Sequence, residues 1–418
     1  MAFAAADYAL PAAATPPGIT AIQRLLMWGV GAGGAIVFIE PSPYELVTLV
    51  SVIFFFATGL RMRPVFLALL ILLFLLNIGY TICSVYLMDK KEILNWILTS
   101  WYMAITSLFF AMVLSEDTAS RLEFLRRGLI FGALIASLAA VAGYFHLVPG
   151  GYDLFTLYSR ARGTFKDPNV LGAYLILPAL FLLQTVVTQS FWKSVRSAVA
   201  LGIVSLAVLL AFSRASWGQL VICSAFMLVL MYLTTPSQKQ RTRIVTVAIA
   251  AAICAALLLV VLLSLDSVSN LFQERASFNQ SYDTGRFGRF GRHALGFQMA
   301  LELPLGIGPL QFTRFFPEDT HNSFLNAFMS GGWIAGIAFP ALIFTTVVMG
   351  FKLIFVRVPW QRTYLAIFAA FVGTVGEAFI IDVDHWRHFW MMLGTMWAMF
   401  AAAHAYSYQA RKHAAQVR

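Results

Sequence analysis

The chain has 418 residues, of which 60% are hydrophobic and only 11% are charged. Soluble domains carry about a quarter charged residues, so this composition excludes an ordinary soluble protein and indicates an integral membrane protein. The formal net charge of +10 suits contact with anionic lipid or with an anionic substrate. Cys83, Cys223 and Cys254 lie in or beside apolar runs and show neither a disulfide framework nor metal-ligand spacing.

Apolar runs predict an all-α polytopic bundle, because a membrane helix needs about 20 apolar residues. We expect one integral-membrane domain over residues 1–418, with no removable signal peptide at its start. About twelve spans are predicted, at residues 20–39, 44–60, 64–87, 92–114, 127–147, 169–188, 197–213, 215–234, 244–264, 323–350, 361–381 and 389–408.

The positions of Lys and Arg predict the orientation of these spans, since both accumulate in short cytoplasmic loops. If the N-terminus is cytoplasmic, every inner loop is basic, including residues 235–243. The outer side then receives residues 148–168, 265–322 and 382–388. These outer loops also carry many cations, although Lys and Arg are disfavoured on that side of the membrane. A bound polyanion would explain their presence there.

Residues 265–322, between the ninth and tenth predicted spans, form the longest polar interruption. Loops of this length are usually functional or disordered. Apolar residues at helical spacing over Gly291–Leu303 predict an ordered loop with a short helix. We expect this loop to present cations and one imidazole to an anionic substrate.

The segment 159–169 is the first candidate site. Asp167 followed by Pro168 predicts a helix N-cap and first residue, and a helix N-terminus favours anions. Arg162 and Lys166 stand beside it, and Arg160 and Asn169 are further candidates for substrate binding. Basic residues that contact lipid headgroups are an equally good interpretation.

Arg214 is the second candidate, because apolar runs flank it with hardly any loop. An arginine at membrane depth costs up to about 3 kcal/mol and normally faces a cavity or an anion, although it can also extend to the headgroups.

Arg286, Arg289 and Arg292 form a third group. If Thr284 caps the following helix, Arg286 lies in its first turn, where a bound anion would offset the opposing helix dipole. The alternative is a basic amphipathic segment on the outer leaflet.

His321 closes the arginine-rich loop and could accept a proton near neutral pH. A histidine at a membrane boundary is more often an interfacial residue without a catalytic role, but its position at the end of the arginine-rich loop makes the two interpretations equally good here. His385 and His388 are a rival pair that could suggest a metal, but no third ligand is evident, and an interfacial aromatic belt is the better interpretation.

Five short motifs in order resemble the superfamily of O-antigen ligases and O-antigen or exopolysaccharide polymerases. They lie between roughly residues 155 and 340 and read RGTFKDPNVLGAY, FSRASWGQL, TGR, PLGIGPLQF and HNSFLNAFMSGGWIAG. The long loop between the ninth and tenth spans matches as well.

This resemblance implies a membrane glycosyltransferase of the bacterial inner membrane, with its active site facing the periplasm. Its donor would be a glycan on undecaprenyl pyrophosphate, and its acceptor either lipid A-core, for a ligase, or another lipid-linked glycan, for a polymerase. The family's essential residues map onto Arg214, Arg286 and His321, with Arg289 and Arg292 close to the loop arginine. We expect no cofactor, no metal and no nucleic acid, and membrane lipid as the surroundings. A flippase or transporter for an anionic lipid is the rival from another class.

Overall fold

The computed structural model describes residues 17–276 and 285–416. These residues form fifteen α-helices, one two-stranded antiparallel hairpin and short 3-10 turns. The helices are α1 (Pro17–Gly33), α2 (Pro43–Thr58), α3 (Phe66–Cys83), α4 (Lys91–Leu114), α5 (Thr118–Tyr144), α6 (Gly151–Phe155), α7 (Pro168–Thr188), α8 (Phe191–Leu210), α9 (Arg214–Thr234), α10 (Gln238–Leu263), α11 (Asp266–Ala276), α12 (Arg289–Glu302), α13 (Ser323–Leu353), α14 (Gln361–Glu377) and α15 (Arg387–Gln416). Strands β1 (Thr156–Leu157) and β2 (Arg160–Ala161) make the hairpin.

The all-α polytopic fold predicted from the sequence is confirmed. Within the described residues, eight helices are long and apolar enough to cross a membrane, namely α3, α4, α5, α7, α8, α9, α10 and α13. The other four predicted spans coincide with α1, α2, α14 and α15, of which α1 and α14 have 17 residues and α2 has 16. The chain is therefore a multi-pass membrane protein, and the total of twelve spans stays a prediction.

Three helices begin with side-chain caps that the local sequence supplies. The Asp167 carboxylate accepts from the N–H of Asn169 at 2.7 Å, as predicted for the start of α7. Ser213 caps α9, and Asn322 caps α13 by accepting from the N–H of Leu325 at 3.0 Å. All three starts lie at the end of the bundle that carries residues 148–168, 285–322 and 378–388, which we call the loop face.

Helix α7 lies at the centre of the bundle. It packs against α5, α8, α9, α10 and α14 and buries most of its side chains. Helix α10 has the opposite character, since its apolar side chains, such as Ile253 and Leu257, point outward. An apolar surface of that kind suits contact with lipid.

Helix α13 is broken at Gly332, where φ is 60° and ψ is −161°. The N–H of Trp333 donates to the carbonyl of Pro304 at 2.9 Å, and the N–H of Ile307 donates to that of Met329 at 2.7 Å. A Cβ at position 332 would lie 2.4 Å from the Pro304 oxygen, so only glycine fits. The loop thus supplies the hydrogen bonds that α13 loses at its break.

Candidate functional site

His321 and Asp382 form the centre of the candidate site. The backbone N–H of His321 donates to Oδ2 of Asp382 at 2.9 Å, and its imidazole Nδ1 lies 3.8 Å from the same oxygen. The other carboxylate oxygen accepts from the Thr320 hydroxyl at 2.8 Å and from the Asn322 N–H at 3.0 Å. His321 has a φ of 45°, which an L residue adopts at a cost of about 1–2 kcal/mol. The bonds to Asp382 hold this strained conformation.

The residues on either side of this pair are fixed to each other. The N–H of Ser323 donates to the carbonyl of Ala378 at 2.8 Å, and the Ser323 hydroxyl accepts from the N–H of Val383 at 2.7 Å. The side-chain amide of Asn322 donates to the carbonyl of Phe379 at 3.1 Å. The start of α13 and the turn after α14 are therefore one unit.

Helix α12 is fastened to the segment before His321 by two side chains. Arg292 is only 2% exposed, and it donates to Oε2 of Glu318 at 2.6 Å and to the carbonyl of Phe287 at 3.0 Å. A ring nitrogen of His293 lies 2.9 Å from the carbonyl oxygen of Thr320. Arg292, predicted to bind substrate, is thus buried among acceptors of the protein itself.

The start of α12 differs from the sequence prediction. Its N-cap is Gly288 and its first residue is Arg289, so Arg286 precedes the helix and does not lie in its first turn. Thr284, the predicted cap, lies outside the described residues. Arg286 is exposed, with its guanidinium 5.6 Å from the ring centre of Phe287. The glycine at 288 adopts an extended conformation there, and the helix begins later than the polar Thr284 suggested.

The surroundings of His321 favour its neutral form. Burial lowers the pKa of His321 below its ordinary 6.5, and the guanidinium groups of Arg289 and Arg292 lower it further. The carboxylates of Glu318 and Asp319 act in the opposite direction. With 35% of its side chain exposed, the neutral imidazole is accessible to a substrate hydroxyl.

The turn between α8 and α9 holds Arg214 in a half-buried position at the first residue of α9. Arg160 supports this turn, because its Nε donates to the carbonyl of Ala211 at 2.8 Å. The Arg160 Nη2 donates to Oδ1 of Asn169 at 2.7 Å. Two predicted substrate ligands, Arg160 and Asn169, therefore connect the hairpin, the start of α7 and the Arg214 turn.

Lys166 and Arg162 lie near the same helix start. Lys166 forms an ion pair with Glu40, and its hydrogen bond lowers the pKa of that carboxyl. Arg162 Nε donates to the carbonyl of Leu154 at 3.3 Å. Both cations are at the loop face, but each also has an acceptor within the protein.

Helices α9 and α14 bring Arg214 and Asp382 to the same side. The side-chain amide of Gln219 on α9 lies 3.0 Å from the Thr374 hydroxyl on α14. Arg214 is at the start of α9, and Asp382 follows the end of α14. Because these two helix ends lie on the same side of the Gln219–Thr374 contact, both residues are at the loop face. Arg289 is also close enough to His321 to affect its pKa. The structure thus gathers Arg214, Arg289 and His321 at one end of the bundle.

Sequence reasoning missed Asp382 and Asp384 as parts of the site. Asp384 accepts from the side-chain amide of Asn326 at 2.9 Å and lies 3.3 Å from Nδ1 of His385. The other ring nitrogen of His385 lies 3.3 Å from the carbonyl oxygen of Trp96. The sequence did contain a signal for them, because both carboxylates directly follow an apolar span. Carboxylates at a membrane boundary are energetically costly without a partner.

Comparison with protein families finds a match over part of the chain. The family model described as O-antigen ligase matches residues 198–339. This match supports the O-antigen ligase superfamily for that part of the chain. Among curated proteins, none matches it.

The O-antigen ligase match covers the Arg214 turn, the arginine-rich loop, His321 and the first half of α13. Asp382 and the segment 159–169 lie outside it. The family is one of glycosyltransferase-like ligases and polymerases, so the match supports an enzyme.

Proposed function

We propose that this chain is an O-antigen ligase. It transfers a glycan from undecaprenyl pyrophosphate to a lipopolysaccharide core at the periplasmic face of the bacterial inner membrane. The observation that carries the proposal is the pairing of His321 with Asp382 at the loop face, where Arg214 and Arg289 also lie. A neutral imidazole beside several guanidinium groups suits a hydroxyl nucleophile and a phosphate leaving group.

His321 is the general base in this proposal. The acceptor hydroxyl attacks the anomeric carbon of the donor sugar and forms the new glycosidic bond. Its proton passes to Nε2 of His321, because Nδ1 faces the Asp382 carboxylate. The bond between the anomeric carbon and the phosphate oxygen breaks, and undecaprenyl pyrophosphate leaves with the electron pair. Asp382 positions His321 and stabilises the imidazolium that forms.

Arg214 and Arg286 bind the departing pyrophosphate. A guanidinium offers two parallel N–H groups that match two phosphate oxygens, and this geometry gives strong charge-assisted hydrogen bonds. Arg286 is exposed and Arg214 is half-buried, so both can reach a ligand at the loop face. The arginines supply the positive charge in this proposal, which includes no metal ion.

A repeat-unit polymerase for O-antigen or exopolysaccharide is the alternative, since it would use the same donor. An excess of cations at the loop face would favour a ligase, because lipid A-core carries phosphates of its own. Arg160, Lys166 and Arg387 have acceptors in the protein, however: Asn169, Glu40 and Glu45. The charge of these three cations therefore does not distinguish a ligase from a polymerase, and the choice of ligase over polymerase rests on the description of the matching family.

The deciding experiment uses the purified protein in lipid nanodiscs with an undecaprenyl-pyrophosphate-linked glycan. We expect transfer to lipopolysaccharide core, also in excess EDTA, and no transfer by His321→Ala. Transfer to a second lipid-linked glycan alone would identify a polymerase. In cells, deletion of the gene should leave long polymer on its lipid carrier and a bare core. A core capped with a single repeat unit would contradict the ligase.

A further inference from the structure

A second feature of the loop face is a cavity of about 150 Å³ between the α1–α2 connection and the starts of α7 and α15. One water takes about 30 Å³ in the liquid, so the cavity has room for a group several times larger. Its lining includes Tyr174 of α7 and His388 of α15.

Tyr174 and His388 both line this cavity, and each has a buried polar atom without a hydrogen-bond partner among the described residues. Tyr174 is 3% exposed and His388 is 9% exposed. Within the described part of the chain, nothing bonds to the Tyr174 hydroxyl or to Nε2 of His388. A buried polar atom without a partner costs about 1–3 kcal/mol. Both atoms are therefore suited to a ligand that carries hydrogen-bonding groups.

Charge at the cavity argues against an anionic ligand. Lys166 and Arg387 line it, but Glu40 and Glu45 neutralise them through ion pairs. The Asp167 carboxylate in the same wall adds a negative charge. A phosphate would gain little binding energy from these neutralised cations. An uncharged ligand does not depend on them for its binding energy.

Aromatic rings complete the wall. The ring of Phe165 packs 5.0 Å from that of Tyr174, and the ring of Trp386 stacks 5.3 Å from that of His388, measured between centroids. Binding pockets commonly combine such apolar faces with a few polar groups that fix orientation. A sugar ring has this same combination of apolar faces and hydroxyl edges.

We propose that this cavity binds one uncharged sugar residue of the glycan substrate, through the Tyr174 hydroxyl and the His388 imidazole. The inference rests on the glycosyl transfer proposed above and adds a sugar subsite to it. His385 also lines the cavity and is three residues from Asp382, so their Cα atoms are at most about 11 Å apart. The cavity therefore lies near the His321–Asp382 pair, so the bound sugar belongs to the donor or the acceptor glycan that reacts there.

Tyr174→Phe tests the subsite, because it removes one oxygen that has no partner among the residues the structure describes. We expect kcat/KM for transfer to fall about tenfold, the loss of one hydrogen bond to substrate, while Tm does not fall. Tyr102→Phe is the control, since it removes a buried tyrosine hydroxyl that lies outside the cavity lining. Titrating the donor at saturating acceptor, and the reverse, shows which substrate carries the bound sugar. Unchanged kinetics in Tyr174→Phe would overturn the proposal.

Gly34→Val tests the same space by filling it. A Cβ at Gly34 would lie 3.5 Å from the Gly31 oxygen and 3.7 Å from the rings of Tyr44 and Tyr174, which are ordinary contact distances. Because Gly34 lines the cavity, the larger valine side chain should take up part of its space. Gly202→Val adds the same atoms where nothing lies within 4 Å. We expect transfer to fall at least tenfold in Gly34→Val and to stay at the wild-type rate in Gly202→Val.

A second measurement is independent of transfer. The free repeat-unit oligosaccharide, released from its lipid by mild acid, should show saturation-transfer NMR signals with the wild-type protein and weaker ones with Gly34→Val. Binding without transfer would reject the proposed function but keep the sugar subsite. Transfer with equal oligosaccharide signals from both proteins would reject the subsite alone.

Discussion

The Asp382 carboxylate accepts a hydrogen bond of 2.9 Å from the backbone of His321, a residue 61 positions earlier in the chain. The same carboxylate also accepts from Thr320 and Asn322. One side chain after α14 thus determines the conformation of three consecutive residues before α13.

Replacing Asp382 should therefore affect catalysis through the position of His321. We expect Asp382→Ala to lower kcat about 100-fold with a smaller change in KM, because misplaced catalytic groups cost rates of this order. Asp382→Asn keeps one carbonyl oxygen as an acceptor and should retain more activity. Steady-state kinetics of both variants check this, and equal kcat values for wild type and Asp382→Ala would contradict it.

The lowered pKa of His321 predicts the acid limb of the pH–rate profile. A general base must be neutral, so activity is complete above its pKa and is lost as the pH falls through it. Since burial, Arg289 and Arg292 lower this pKa, the limb should lie below pH 6.5. Arg289→Gln removes one positive charge, so its limb should move to higher pH. A profile that does not move, measured as kcat/KM from pH 4.5 to 8, would argue against His321 as the base.

The proposed phosphate contacts predict that lysine cannot replace arginine. Arg214→Lys and Arg286→Lys keep the charge but lose the bidentate fork, so each should lose most transfer activity while the protein still inserts into the membrane. Arg127→Lys is the matched control, because the exposed Arg127 pairs with Glu123 away from the loop face. Radiolabelled glycan transfer measures the effect. Full activity in both test variants would show that they act as point charges only.

The orientation of the chain can be tested with single cysteines. In a background without Cys83, Cys223 and Cys254, we introduce Ser237→Cys or Thr313→Cys, both at exposed positions. The basic residues of 235–243 predict a cytoplasmic Ser237 and a periplasmic Thr313. Only the Thr313→Cys protein should react with a membrane-impermeant thiol reagent in intact cells. Labelling of Ser237→Cys alone would reverse the topology and place the site in the cytoplasm.

The sequence predicts the helices well because membrane spans depend on a long local signal. Even the split between the seventh and eighth spans is confirmed, since α8 ends at Leu210 and α9 begins at Arg214. The break in α13 at Gly332 was not predictable, because it depends on hydrogen bonds to Pro304 in a distant part of the loop.

The roles of individual cations could not be predicted from sequence for the same reason. Arg160 and Arg286 stand in similar basic stretches, yet Arg160 is tied to Ala211 and Asn169 whereas Arg286 is exposed. Which cation has an internal acceptor depends on contacts between segments far apart in the chain. Asp382 was missed because its partners lie in another loop.

Arg292 provides the sharpest test of this distinction between structural and substrate-binding arginines. It is buried and pairs with Glu318, so we expect Arg292→Ala to lower stability by about 1–3 kcal/mol through loss of a buried hydrogen-bonded group. Arg286→Ala should leave stability unchanged, because Arg286 is exposed, but should lose transfer activity. Thermal unfolding in detergent, followed by kinetics of the folded fraction, compares the two. If Arg292→Ala keeps the wild-type Tm and loses transfer as Arg286→Ala does, Arg292 binds substrate, and the loop must open in the working enzyme to release it from Glu318.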